Sequence, residues 1–172
     1  MTEPTEPRSP FDAPLWSAGG APSRPSLGQI GLQQFAPYLI NSVSLSWTTH
    51  LAGAMKAHDL TTPKMRALAI LSIASPVTIN ELSLYALTEQ STMSRTLDAL
   101  EEQGFIQRKA RSEDLRVRDV HITESGRAAF ARFWPEMFDL LLKLFDGVDA
   151  AEYAAFTATL HKLIANVRKH EI

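Results

Sequence analysis

The chain has 172 residues, 17 Lys+Arg against 19 Asp+Glu, and a formal net charge of −2. That length fits one domain with an appendage, and a hydrophobic fraction of 45% is that of a globular protein able to bury a core without staples. The lack of cysteine excludes disulfides, cysteine-ligated zinc, thiol catalysis and thiol redox sensing, and the near-neutral charge argues against a polybasic nucleic-acid binder.

Residues 1–30 hold six of the ten prolines and three of the eight glycines, which reads as a disordered tail with one apolar cluster at Phe11, Leu15 and Trp16. The N-terminus lacks the basic and then apolar stretch of a signal peptide, and no run approaches the ~18 apolar residues of a membrane helix. A cytoplasmic protein with no membrane partner is the expectation.

Phe35, Leu39, Val43, Trp47, Leu51 and Met55 recur every four residues and predict one long helix over about 33–58, with Pro37 in its first turn. A second helix starts at Thr61 or Thr62 with Pro63 in its first turn, takes Leu68, Ile70, Leu71 and Ile73 inward, and stops at Ser75-Pro76. Thr78 and Glu81 form a capping box for a short helix with Leu82, Tyr85 and Ala86 inward. Thr88 is the expected N-cap of the next helix, Glu89–Glu102, with Met93, Leu97 and Leu100 inward and Gly104 as its left-handed C-cap. The pair reads as helix-turn-helix.

Two strands, about 105–108 and 117–122, flank the polar stretch Lys109–Arg116 and predict a β-hairpin wing. Thr123 caps a helix to about Phe145, with a kink expected before Pro135 and a stop at Gly147. A last amphipathic helix from about Asp149 carries Tyr153, Phe156, Leu160, Leu163, Ile164 and Val167. The predicted fold class is mainly α with a small β-hairpin: a winged helix-turn-helix over about 61–123, embedded in α-helical segments at about 33–58 and 124–170.

Net charge hides a local excess. Segment 108–118 carries five bases against two acids, whereas 124–172 carries six against seven. A few clustered bases suffice for salt-dependent phosphate binding through counterion release. Near the start of the recognition helix, Gln90, Ser91, Thr92, Ser94 and Arg95 are small or forked donors suited to phosphates and base edges, with Arg95 placed for bidentate guanine contact. Arg108, Lys109 and Arg111 supply the wing's phosphate contacts. None of the five histidines has a zinc-site spacing, and no nucleophile–base set or phosphate loop is visible. Neither an enzyme nor a cofactor or metal is expected.

Five segments occur in order: Leu60-Thr61-Thr62-Pro63, Ser91-Thr92-Met93-Ser94-Arg95, Leu100 through Ile106, the wing pattern Asp114-Leu115-Arg116 ahead of Ile122-Thr123, and Thr123-Glu124-Ser125-Gly126. Together they resemble the MarR (multiple antibiotic resistance regulator) family over about 33–170. Two positions depart from the pattern. Leu115 stands where the family usually has a basic wing residue, and Leu87 stands near the inter-helix turn where glycine is common. The turn is accordingly read as helical rather than left-handed.

The resemblance implies a two-fold dimer on double-stranded DNA, reading a pseudo-palindrome with half-sites about one turn, ~10 bp, apart. It implies a sequence-specific regulator, more often a repressor, in which Arg116 enters the minor groove and Asp114 orients the wing. It also implies a small aromatic or phenolic effector, for which Tyr38, Trp47, His50, Met65, Arg66, Phe133 and Trp134 are the candidate residues. The same aromatics serve equally as dimer core. A winged-helix protein-interaction module without DNA binding is the alternative reading, motivated by the low net charge and Leu115.

Overall fold

The computed structural model describes residues 31–111 and 117–170. The N-terminal tail, Asp114, Leu115 and Arg116 therefore lie outside the described residues. The chain divides into two compact units, Met1–Thr62 and Pro63–Ile172.

In the first unit a 3-10 turn, Leu32–Gln34, leads into helix α1, Ala36–Lys56. Pro37 sits in the first turn, where the amide it lacks has no helical acceptor. The apolar row is buried only toward its C-terminal end, at Leu51, Ala54 and Met55, while Leu39 and Val43 stay exposed. Of the row expected from the four-residue spacing, only the last two members, Leu51 and Met55, are thus buried within one chain.

The second unit contains helix α2, Thr62–Ile73, from its second residue on, then strand β1, Val77–Thr78, helix α3, Ile79–Tyr85, and helix α4, Gln90–Glu102. Strands β2, Ile106–Ala110, and β3, Arg118–Ile122, follow, then helices α5, Glu124–Leu144, and α6, Ala150–His170. The sheet is antiparallel in the order β1-β3-β2, with Val77 opposite Val120 and Ile106 opposite Ile122. Met65, Leu68, Leu71, Leu82, Met93, Leu97, Leu100, Ile106, Val120 and Phe133 form the core of this unit. These elements are those of a winged helix-turn-helix.

Two inward assignments are corrected. Ile73 is exposed, because it lies two residues, about 200° of helical rotation, past the buried Leu71. Tyr85 is exposed, because the buried row of α3 runs from Leu82 to Ala86 and leaves Tyr85 at its edge. Along α6 no residue is buried, although its apolar stripe is present. Helix α5 continues through Pro135, whose ring removes the helical donor to the carbonyl of Ala131. Among the described residues no helix is long and apolar enough to cross a membrane.

Candidate nucleic-acid interface

Helix α4 is amphipathic in the sense its sequence requires. Met93, Thr96, Leu97 and Leu100 are buried, and Gln90, Ser91, Arg95 and Asp98 face outward, with Thr92 and Ser94 half-buried at the boundary. The expected N-cap is displaced. Glu89 occupies the cap position without a side-chain bond, and the Thr88 hydroxyl instead donates to the Ala86 carbonyl (3.0 Å). Among the described residues no side chain accepts from the first-turn amides of α4, which leaves the positive end of the helix open to an anion.

The turn before α4 is left-handed, contrary to expectation, with Leu87 at φ 50°. Two backbone bonds impose this, Thr88 N–H to Ser83 O (3.0 Å) and Leu87 N–H to Leu84 O (3.3 Å), the pattern of a Schellman motif. The Arg66 guanidinium fastens the same corner by donating to Ala86 O (2.9 Å). Together these offset the ~1–2 kcal/mol that a side chain loses in the left-handed region.

At the wing the bases divide into two groups. Arg108 donates Nε to Glu101 (2.8 Å), its backbone N–H donates to the same carboxylate (2.9 Å), and its guanidinium also meets Asp98 (2.8 Å). These bonds hold the Glu101 carboxyl below its usual pKa, Arg108's side chain contributing most and its backbone N–H next. Arg111 grips Asp119 with both faces of its fork (3.1 and 2.6 Å), which likewise lowers the Asp119 pKa. Lys109 and Arg118 are exposed, and neither holds an ion pair among the described residues. Arg95 donates only Nε to its own helix, at Ser91 O (3.3 Å). The uncommitted cations of the described surface here are thus Arg95, Lys109 and Arg118, not the whole set counted along the sequence.

The MarR family model matches residues 60–117 of the chain. A MarR-family transcriptional regulator from Silicibacter pomeroyi, solved by crystallography, is similar at TM-score 0.79 and 42% identity, over 86% of this chain and 100% of that one. The chain belongs to the MarR family. It is a helix-turn-helix transcriptional regulator. The transcriptional repressor IacR of Pseudomonas putida is 26% identical over 143 residues, 83% of this chain and 86% of its own length. A mutant of Escherichia coli MarR, solved in complex with operator DNA, shares the fold at TM-score 0.66 and 24% identity, over 74% of this chain and 91% of that one.

The MarR-like segment Thr123–Gly126 has a structural reason. Thr123 Oγ1 accepts from Gly126 N–H (3.1 Å) as the N-cap of α5, and it donates to Gly104 O (2.7 Å). Ser125 Oγ donates to the same carbonyl (2.7 Å). A Cβ on Gly126 would stand 2.1 Å from Phe105 O, so only glycine permits this approach. The motif joins the end of the recognition helix to the start of α5.

The candidate effector residues of this MarR-family chain are split between its two units. Tyr38 and His50 are exposed on α1 and Trp47 is half-buried, with His50 Nδ1 against Ser46 O (2.7 Å). In the second unit Met65 and Phe133 are buried, Arg66 is held on Ala86 O, and Trp134 is half-exposed between Phe130 and Phe138. Sequence reading missed Asn80, Asp98, Glu101 and Asp119. Asn80 Oδ1 accepts from Gln90 Nε2 (2.8 Å), and the three acids neutralise wing arginines. Asp98 and Glu101 lie seven to ten residues from Arg108, across the turn at Gly104, so a count along one segment cannot find them.

Proposed function

We propose that this MarR-family regulator is a homodimeric, ligand-responsive repressor that reads a pseudo-palindromic operator through α4 and the wing. The observation that carries the DNA reading is the outward row Gln90, Ser91 and Arg95 at a helix end without a side-chain cap, flanked by Lys109 and Arg118, which hold no ion pair among the described residues. Thr92 and Ser94 supply further hydroxyls at the same end. Asp114 and Arg116 keep their proposed roles in wing orientation and minor-groove contact. Arg108 and Arg111 shape the wing through their carboxylates, and their reach to phosphate is secondary.

Dimerisation is supported by the apolar surface on helices that the single chain does not cover. Leu39, Ile40 and Val43 on α1, Phe138 and Leu142 on α5, and Phe156, Leu163 and Ile164 on α6 are all exposed. A small aromatic or phenolic effector is proposed; Tyr38, Trp47 and His50 in the first unit and, separately, Arg66 and Trp134 in the second are the candidates whose side chains are not buried.

The test is affinity for a duplex enriched from random sequence against a scrambled duplex, at two salt concentrations. A sequence preference that persists at higher salt is expected, and Arg95→Ala should cost ~1–3 kcal/mol, concentrated at one base position. Equal affinity for both duplexes at both salts would overturn the reading. The second reading, a protein-interaction module, is favoured by the exposed Leu84, Tyr85 and Leu87 beside α4. A salt-resistant protein partner without any DNA shift would establish it. Sedimentation gives the oligomeric state, and a rise in melting temperature with a panel of aromatic acids would support the effector.

A further inference from the structure

Two surface clefts of the winged helix, of about 520 and 480 Å³, share two lining residues, Asn80 and Gln90. One cleft is otherwise bounded by Leu84, Leu87 and Glu89, the other by Arg111 and Arg118. Asn80 is the second residue of α3 and Gln90 the first of α4, and both are exposed. Their amides meet in the single bond from Gln90 Nε2 to Asn80 Oδ1 (2.8 Å). The pair is therefore a ridge between two hollows at the open end of the recognition helix.

We propose that Asn80 and Gln90 form one composite reader that selects adenine in the major groove. This rests on the DNA-binding reading above and adds a specificity residue outside α4. Each amide offers a carbonyl acceptor and an NH₂ donor. Their mutual bond uses the Asn80 carbonyl and one hydrogen of the Gln90 amine. The bond leaves over the Asn80 Nδ2 donors, the Gln90 Oε1 acceptor and the second Gln90 Nε2 hydrogen, and the composite reader presents the Asn80 donor with the Gln90 acceptor.

Adenine displays the complement, an N7 acceptor beside an N6 donor. Guanine displays two acceptors, N7 and O6, and would set O6 against Gln90 Oε1. Cytosine has no acceptor for Asn80, and thymine has no donor for Gln90. A free glutamine can rotate its amide to suit several bases. Asn80 removes that freedom and fixes which face Gln90 shows.

The experiment selects duplexes from a randomised pool with the full-length protein and with Asn80→Asp, then measures affinity for the winning duplex. Asn80→Asp keeps an acceptor for the Gln90 amine but replaces the outward donor with an acceptor. Wild type should enrich adenine at one position per half-site and lose about tenfold affinity when 7-deaza-adenine replaces it there. Asn80→Asp should lose the adenine preference, shift toward cytosine and ignore the 7-deaza substitution, with other positions of the profile unchanged. Those unchanged positions report a folded, bound variant. Adenine preference surviving in Asn80→Asp, or a wild type indifferent to 7-deaza-adenine, overturns the proposal alone. A wild type that enriches nothing overturns the DNA-binding reading, and this one with it.

Discussion

Helices α3 and α4 end in the same pattern of backbone hydrogen bonds and differ in the residue at the left-handed position. At the end of α4 it is Gly104 at φ 72°, with Phe105 N–H on Leu100 O (2.9 Å) and Gly104 N–H on Glu101 O (2.9 Å). At the end of α3 it is Leu87 at φ 50°, a residue 82% exposed and with no packing gain to offset its backbone strain. Each turn is fastened from outside. Thr123 and Ser125 hold the carbonyl of Gly104, and Arg66 and Thr88 hold the carbonyl of Ala86. The difference teaches that the ring of hydrogen bonds sets the turn. Glycine makes it cheap, but a sufficiently fastened corner forms without it.

Substitutions can break or sharpen that contrast. The largest effect is expected from Gly126→Ala, which drives a methyl into the Phe105 carbonyl beside the α4 turn. Chemical denaturation should show a loss of ~1–3 kcal/mol, the range for overpacking. Gly104→Ala comes next. A Cβ there meets nothing within 4 Å, so the cost is conformational alone, about 1 kcal/mol.

Leu87→Gly should do the reverse and leave stability equal or better by ~0.5 kcal/mol, since strain relief outweighs the added chain entropy. A loss of more than ~1 kcal/mol would show that Leu87 packs where it is described as exposed. The smallest effect is on pH dependence. Glu101 has its pKa lowered by Arg108, so its contribution is full above the ordinary carboxylate pKa and fades as pH falls through the lowered one. Glu101→Gln should flatten the melting-temperature profile in that acid window and leave the neutral-to-alkaline limb parallel to wild type.

Much of the fold was legible because it is written in short-range chemistry. The Thr78–Glu81 capping box has both of its bonds, Thr78 N–H to Glu81 (2.8 Å) and Glu81 N–H to Thr78 Oγ1 (3.2 Å). The Gly104 stop and the Thr123 cap are equally local. Strand β1 was not legible, since two residues carry no period and exist as a strand only through pairing with Val120 and Asp119, over forty positions away. At the interface, the outward face of α4 followed from its period. The pairing of Arg108 and Arg111 did not, because charge counting along a segment ignores which acids the turn at Gly104 and the hairpin bring alongside. Leu87 misled for a related reason. Its backbone is dictated by Ser83, Leu84 and Arg66 rather than by its own preference.

The joint between Gly104 and Thr123 also sets the mechanics of the winged helix. Helix α5 is continuous over 21 residues, about 30 Å at 1.5 Å per residue, with its first turn bonded to the Gly104 turn that closes α4. A joint with two side-chain bonds, one backbone bond and a glycine-close contact has little slack. Rotation of α5 about that end is therefore delivered to α4 as torque, and a tilt of roughly 5° displaces the far end of such a helix by roughly 3 Å. Short movements of α4 and longer movements of the far tip of α5 are two ends of one lever.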